Sequence, residues 1–551
     1  MSSNVCFGGS LSLIAIISIT LLAAACGLDQ QSNVEYGIEH QMLFVANGDD
    51  PASLDPHLAT GLSERNILQA LFEGLVGIDA ETGNAVPTVA NHWEINKDQT
   101  VYTFYLNDKA RWSNGDSVTA QDFAFSWQRV LDPQIAASYA YMLYPIKNAR
   151  AYHQREVANF SEVGVTIVDD RKLTVTLERA TPWFLQALNH PALFPVHRGT
   201  LEKFKAEYPE LSQWTKPQNM VSNGPFQLQD WQINNNITVT VNPYYWNIDK
   251  IRLKGIVFQH ISDKGAEERA FRSAQVHATN TPRIAIEKLN RYKNEQPEVL
   301  IRTPLYASIY YAFNTEREPF NAVDVRRALA LAINREVLVK QVLKGGESPN
   351  YSFIPANPDG YSPLHYFDFN PDKARALLAA AGYHNGRGFP PFELQIVSRE
   401  TNLNIAVAIQ AMWREHLNIE MTIHQQEWKS WLQTRAAKNF ELCTGSWYAD
   451  YVDASNFFDV LRSDSGNNHT GWRNPEYDRL LDNAALISDS GERIALLEQA
   501  NRILAEEMPV IPLFQPVNSN LVDTRVKGWA PSPTGMLRYQ DIELVKSKLL
   551  N

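Results

Sequence analysis

Residues 101–133 read VYTFYLNDKARWSNGDSVTAQDFAFSWQRVLDP and hold a strand, a turn and a helix in that order. In Val101–Leu106 the apolar Tyr102, Phe104 and Leu106 alternate with mixed residues, the period-2 pattern of a half-buried strand. Trp112 precedes the turn Ser113-Asn114-Gly115-Asp116. Thr119 then stands three residues before Asp122, so hydroxyl and carboxylate can satisfy the free N–H groups that open a helix. That helix carries Phe123, Trp127 and Val130 on one side, and Asp132-Pro133 ends it.

The same alternation of strand-like and helix-like segments runs along the whole chain, which predicts α/β lobes. A helix is expected after Asn321, with Asp324 in its first turn and Val325, Ala328, Leu329, Ala332 and Ile333 on a packed face. Another spans about 372–381 and stops at Gly382, where positive φ is cheapest. Residues 386–391 (GRGFPP) form a loop. A helix at about 492–506 leads into Pro509-Val510-Ile511-Pro512-Leu513-Phe514, whose prolines suit an edge or crossover strand. There is no internal repeat or low-complexity linker, so large lobes joined by several crossings are expected. Such crossings suit a hinge.

The chain has 551 residues, enough for several domains or two large lobes. Lys+Arg 50 against Asp+Glu 61 gives a net charge of −11 with no basic run, which argues against nucleic acid as a partner. Residues 11–25 (LSLIAIISITLLAAA) are uncharged, apolar and 15 long, short for a membrane span and right for a signal-peptide core. Residues 1–25 therefore read as a targeting peptide. Leu22-Ala23-Ala24-Ala25-Cys26 resembles a bacterial lipobox, with Cys26 as the lipid-bearing first mature residue, although the Leu lies one place upstream of the usual pattern. A plain signal peptide or an uncleaved anchor is the alternative. Cleavage before Cys26 would leave Cys443 alone, so no disulfide framework is expected.

Enzyme signatures such as HExxH, GxxxxGK[ST], GxSxG and GxGxxG are absent. Glu415, His416, His424 and Glu427 lie near one another in sequence but match no strong metal-ligand spacing, so neither metal nor cofactor is expected. The densest polar and aromatic constellation is Thr444-Gly445-Ser446-Trp447-Tyr448-Ala449-Asp450-Tyr451-Val452-Asp453, between strand-like 440–443 and helix-like 454–461. Asp450 and Asp453 can cap that helix, with Trp447 in the core. A carboxylate at a strand end beside a large aromatic can instead take a ligand's ammonium group. The residues alone leave both open.

Six separated stretches together resemble the peptide/nickel-type family of extracytoplasmic solute receptors for ABC transporters, and within it the oligopeptide-binding members. They are Ser53-Leu54-Asp55-Pro56-His57, Leu71-Phe72-Glu73-Gly74-Leu75, 102–132, Val221-Ser222-Asn223-Gly224-Pro225-Phe226, Pro319-Phe320-Asn321 through Arg326-Arg327-Ala328-Leu329, and Trp447-Tyr448-Ala449-Asp450-Tyr451. The resemblance implies a two-lobed, type II periplasmic-binding-protein fold with an additional inserted domain. It places a discontinuous first lobe at 30–71, 200–300 and 516–551, the inserted domain at 72–199 and the second lobe at 301–515.

It further implies a monomeric, non-enzymatic receptor outside the cell membrane, held there by a lipid on Cys26, that closes on an extended peptide and delivers it to a membrane permease. Asp450 matches the carboxylate that pairs with the peptide α-amino group, and Trp447 an aromatic lining a side-chain pocket. Tyr139 matches a ligand-facing tyrosine of the inserted domain. Gly445 would allow close backbone approach, and Tyr448, Thr444 and Asn280 complete the expected lining. Two departures stand out: Thr444 and Ala330 occupy positions where relatives carry cations for the ligand carboxylate, and the chain after Thr279 (Asn280-Thr281-Pro282-Arg283) is one residue shorter. Either Arg283 or another cation substitutes, or the ligand has an altered or distant C-terminus, as in a cell-wall peptide. A non-peptide solute (metal chelate, opine or sugar) and, more remotely, a hydrolase using Asp450 and Asp453 are the alternatives.

Overall fold

A computed structural model describes residues 31–80, 83–204, 213–279, 286–356, 361–487 and 489–546. The expectations for 1–25, Cys26, Asn280 and Arg283 lie outside those residues.

The strand at 101–106 forms as expected, with Tyr102, Phe104 and Leu106 buried. It lies inside a four-stranded antiparallel sheet, between Ala90–Ile95 and Lys172–Thr176, with Val165–Asp169 outermost. The helix Ala120–Leu131 follows. The Asp122 carboxylate accepts the Thr119 N–H at 2.7 Å and its hydroxyl at 3.0 Å, closing the cap. Trp127 is fully buried and donates through Nε1 to the Leu193 carbonyl at 3.0 Å.

A five-stranded sheet is ordered Ala278–Thr279, Met42–Ala46, Gly255–Gln259, Asn236–Val241 and Phe226–Gln232. It shares one continuous apolar core with the four-stranded sheet. The Asp55 carboxylate, bound by both terminal nitrogens of Arg129 at 2.6 and 3.1 Å, ties the two regions together in the interior.

The third sheet has six strands, ordered Ser348–Pro349, Val510–Gln515, Ala307–Phe313, Leu442–Tyr448, Phe392–Val397 and Met421–Gln426. Strand alternation serves two separate cores: Tyr311 and Phe313 face one, Tyr310 and Ala312 the other. The expected packed helix is Val323–Leu331, with Val325, Ala328 and Leu329 fully buried. Pro371–Ala380 and Ser490–Glu507 are the other two expected helices, and Gly382 adopts φ +98° just beyond the first of them.

Three local expectations need correction. The strand at 440–443 instead spans Leu442–Tyr448, so Thr444 to Tyr448 belong to the sheet rather than to a loop after it. The segment 454–461 is one short α-turn, Ser455–Phe458, followed by a 3-10 turn, Asp459–Leu461. Val510–Gln515 is second in its sheet rather than outermost, but its neighbour Ser348–Pro349 reaches only Phe514 and Gln515. Pro512 is accommodated where the register shifts opposite Ile309/Tyr310, and its carbonyl accepts Arg335 Nε at 2.7 Å.

The strands Leu300–Pro304 and Val517–Leu521 pair antiparallel with each other. They carry the chain from the five-stranded side to the six-stranded sheet and back. Cys443 is buried and free, and burial pushes its thiol up to about 12.

Candidate functional site

The constellation at 444–453 sits at the end of a central strand of the six-stranded sheet. Its first part is backbone-rich. Gly445 has no space for a Cβ because the Tyr310 ring lies against it, and the Tyr310 hydroxyl accepts Arg435 Nη2 at 3.0 Å. Pairing toward Phe392–Val397 covers only Leu442 and Cys443, so Thr444 to Tyr448 have a strand neighbour on one side alone among the described residues.

After Tyr448 the chain turns, and Asn456 fixes that turn. Its Oδ1 accepts Trp447 Nε1 at 2.7 Å and the Asp450 N–H at 3.4 Å. The two acids then separate in role. Asp453 is bound by Arg493 through contacts of 2.6 and 2.9 Å and accepts the Ser455 N–H at 2.8 Å, so it caps and braces the turn. Asp450 faces outward across the gap, where its Oδ2 accepts the hydroxyl of Tyr141 at 2.8 Å. Burial raises the Asp450 pKa, opposed by the Tyr141 hydrogen bond, the charge of Arg65 and the hydrogen bond with Asn456.

Around this point two further contacts join the four-stranded region to the six-stranded one. The rings of Trp183 and Tyr451 stack at 4.1 Å and 13°, and Arg179 approaches Asp482 at 3.8 Å. Between them lies a cavity of about 850 Å³ lined from one side by Tyr141, Arg179 and Trp183 and from the other by Trp447, Asp450 and Asp459. Burial pushes the Asp459 carboxyl up to about 6 against the pull of Arg462 and Arg179.

Trp447 and Asp450 thus share one cavity, whereas Tyr139, Thr444, Gly445 and Tyr448 do not line it. Tyr139 packs on His190 at 4.4 Å and feels the charges of both Asp450 and Arg65. Tyr448 is 49% exposed. The Thr444 hydroxyl is buried and finds no partner among the described residues, as does Arg435 Nε. Ala330 is fully buried in its helix within the core, and its carbonyl accepts Arg335 Nη1 at 3.1 Å.

Sequence reasoning passed over Tyr141, Asn456, Trp183, Arg65 and Arg435. Tyr141 lies two residues from Tyr139, so a signal existed. For Arg65 there was none. No group of three potential metal ligands forms among the described residues, and His424 instead meets Glu393 at 3.3 Å. No described helix is long and apolar enough to cross a membrane.

Two lobes built on mixed sheets, an inserted antiparallel domain and a polar cleft at the end of a central strand define a type II solute-binding receptor. The sequence profile of the bacterial extracellular solute-binding proteins, family 5, matches residues 84–469, and the chain belongs to that family, one of receptors rather than enzymes. It is 32% identical to the periplasmic oligopeptide-binding protein OppA of Salmonella typhimurium over 97% of this chain and 98% of that one. The structure of the Escherichia coli murein tripeptide binding protein MppA superposes with a TM-score of 0.80 at 32% identity, covering 92% of this chain and 99% of that one. Haemophilus influenzae OppA in complex with the peptide RPPGFSPFR superposes with a TM-score of 0.79 at 30% identity, covering 92% and 99%.

Proposed function

We propose that this protein is an extracytoplasmic receptor that encloses an extended oligopeptide between its lobes and presents it to an ABC transporter permease. One observation carries the reading: Thr444–Tyr448, paired on one side alone among the described residues, leads directly to a carboxylate, Asp450, aimed across the interlobe gap. The edge offers main-chain hydrogen bonds to a guest backbone, which are indifferent to side chains. The carboxylate fixes the register by taking the guest's ammonium.

Tyr141 takes one acceptor position on Oδ2 of Asp450, and a carboxylate has further acceptor positions that can take that ammonium. Burial raises the carboxyl's pKa by disfavouring its charge, and an arriving cation offsets that cost by attraction in the same water-poor surroundings. Arg435, whose Nη2 donates to the Tyr310 hydroxyl and whose buried Nε has no partner among the described residues, is the candidate to replace the cations missing at Thr444 and Ala330. The paired strands Leu300–Pro304 and Val517–Leu521 act as the hinge, with 30–71, 200–300 and 516–551 on one side, 301–515 on the other and 72–199 riding with the first. Guest contacts made from both sides favour the closed form, which the permease recognises.

The protein acts as a monomer outside the membrane, and acylation of Cys26 would hold it at the surface; the mass of the mature protein tests that directly. A thermal-shift screen against di- to hexapeptides and their N-acetylated forms tests the main reading. Stabilisation by free peptides, weakened by acetylation and by Asp450→Asn, is expected. No stabilisation by any peptide would overturn it.

A further inference from the structure

Tyr451 belongs to one side of the gap by sequence and to the other by packing. Its chain neighbours Ala449, Val452 and Ala454 lie in a core of the six-stranded sheet, together with Phe457 and Phe458. Tyr451 itself, 5% exposed, joins the apolar core shared by the five-stranded and four-stranded sheets, and among the described residues it is the one buried side chain from 302–515 to do so. It enters by stacking on Trp183, the ring centroids 4.1 Å apart and the planes 13° from parallel. Both rings have a fixed base. Trp183 directly precedes the helical turn Phe184–Ala187, whose Phe184 is fully buried with its ring 5.1 Å from that of Tyr102. Tyr451 sits on the braced turn that carries Asp450, where the Ala449 N–H donates to the Tyr306 carbonyl at 2.9 Å and the Asp453 N–H to the Tyr451 carbonyl at 3.1 Å.

Three contacts span the gap here, and with 72–199 and 301–515 moving apart as proposed they differ in what separation costs. The side chains of Arg179 and Asp482 are each about half exposed, and Asp482 keeps Arg462 Nη2 at 2.7 Å, so water replaces what that pair loses. The Tyr141 hydroxyl and the Asp450 carboxylate can likewise pass to water or to a guest. The stack has no such substitute. Parting it returns apolar ring surface to water, and nothing compensates.

We propose that Tyr451 is a positioning residue that latches the closed form: seated on Trp183, it holds the turn carrying Asp450 against the inserted domain and slows release of the guest without reading the guest's sequence. The inference rests on the proposed interlobe peptide site. Because Asp450 and Tyr451 are adjacent on one turn, anchoring of the guest and seating of the latch belong to the same movement. Both rings also line the cavity, so direct contact with guest side chains is the competing role. A latch changes every peptide by one factor, whereas a pocket wall changes them unequally.

Calorimetric titration of the full chain with Ala-Ala-Ala, Lys-Ala-Ala and Phe-Ala-Ala, with stopped-flow release followed by intrinsic tryptophan fluorescence, tests it. Trp183→Ala and Tyr451→Ala should each weaken all three peptides by one common factor of at least about fivefold, and the double variant by about the same factor, because an aromatic pair is worth about two- to tenfold beyond the burial of its surface. The loss should lie in faster release, with association within about twofold; misfolding would instead lower the stoichiometry and leave release from the bound fraction unchanged. Tyr451→Phe keeps the ring and should stay within about threefold of the unaltered protein. A loss below about threefold in Trp183→Ala, or factors that differ by more than about fivefold between peptides, overturns the latch while the peptide reading stands. If neither these nor any other peptide binds the unaltered protein, the peptide reading fails and the inference with it. Should Tyr451→Ala not fold, Trp183→Ala, made from the other side of the stack, decides.

Discussion

Asp453 and Asp450 leave the same strand end three positions apart, yet the fold treats them in opposite ways. Asp453 is 6% exposed, gripped by Arg493 and committed to the Ser455 N–H. Asp450 has no ion-pair partner among the described residues and directs one oxygen at Tyr141 of the facing region. The difference separates a charge that holds the structure from a charge held ready for something else. A completed ion pair gives nothing to a guest, and an incomplete one gives little to stability.

The sharpest break of that comparison is to exchange which acid is removed. Asp453→Ala should destabilise the ligand-free protein by about 3 kcal/mol, because it strands the largely buried Arg493 guanidinium. Chemical denaturation measures it. An equal loss from Asp450→Ala would erase the distinction drawn here. Asp450→Asn should instead leave the ligand-free stability within about 1 kcal/mol and weaken binding of a free-amino peptide by about 2 kcal/mol, read by calorimetry.

The split between the two acids was not readable from the chain alone, and the reason is physical. Spacing allows either acid to cap the turn, and only the tertiary placement of Arg493, some forty residues later, commits Asp453. Features set by neighbours in sequence were legible: the Thr119–Asp122 cap, the alternation of 102, 104 and 106, and the positive φ of Gly382. The strand through Thr444–Tyr448 was cut short because Gly445 and Ser446 are poor strand formers, and packing against Tyr310 overrides that preference. Arg65 on an amphipathic helix looks like any solvated arginine, and its one hydrogen bond, to the Thr534 carbonyl, comes from a segment far away in sequence. The resemblance pointed to Asp450, Trp447 and Tyr139, and the hydroxyl that reaches the Asp450 carboxylate is that of Tyr141, in a 3-10 turn at Ala140–Leu143 that no local pattern announces.

Asp459, on the cavity wall, sharpens the comparison through pH. Its carboxyl is pushed up to about 6 from an ordinary 3.8 by burial, beside Arg462, Arg179, Asp453 and Arg493. The folded state therefore binds a proton more tightly than the unfolded chain, so this group destabilises the fold progressively as pH rises from about 4 to about 6 and by a constant amount above. Asp459→Asn removes the effect. The variant should gain about 1–3 kcal/mol relative to the unaltered protein across that interval, followed by denaturation at each pH. A flat difference would mean that the arginines already neutralise it.

The smallest effect concerns Tyr141 and decides whether it helps or competes with the guest. Its hydroxyl takes Oδ2 of Asp450, and a carboxylate has acceptor positions on both oxygens, so an ammonium can bind beside it rather than displace it. On that geometry, and with 72–199 and 301–515 closing on each other as proposed, Tyr141 contributes to closure in the presence of guest. Tyr141→Phe keeps the ring and removes one hydrogen bond, which should weaken peptide binding by about 1 kcal/mol, about fivefold. If the hydroxyl were instead a placeholder for the ammonium, the same variant would bind more tightly. The sign of the change separates the two, and a slower release without a slower association would place the contact in the closed form rather than in the encounter.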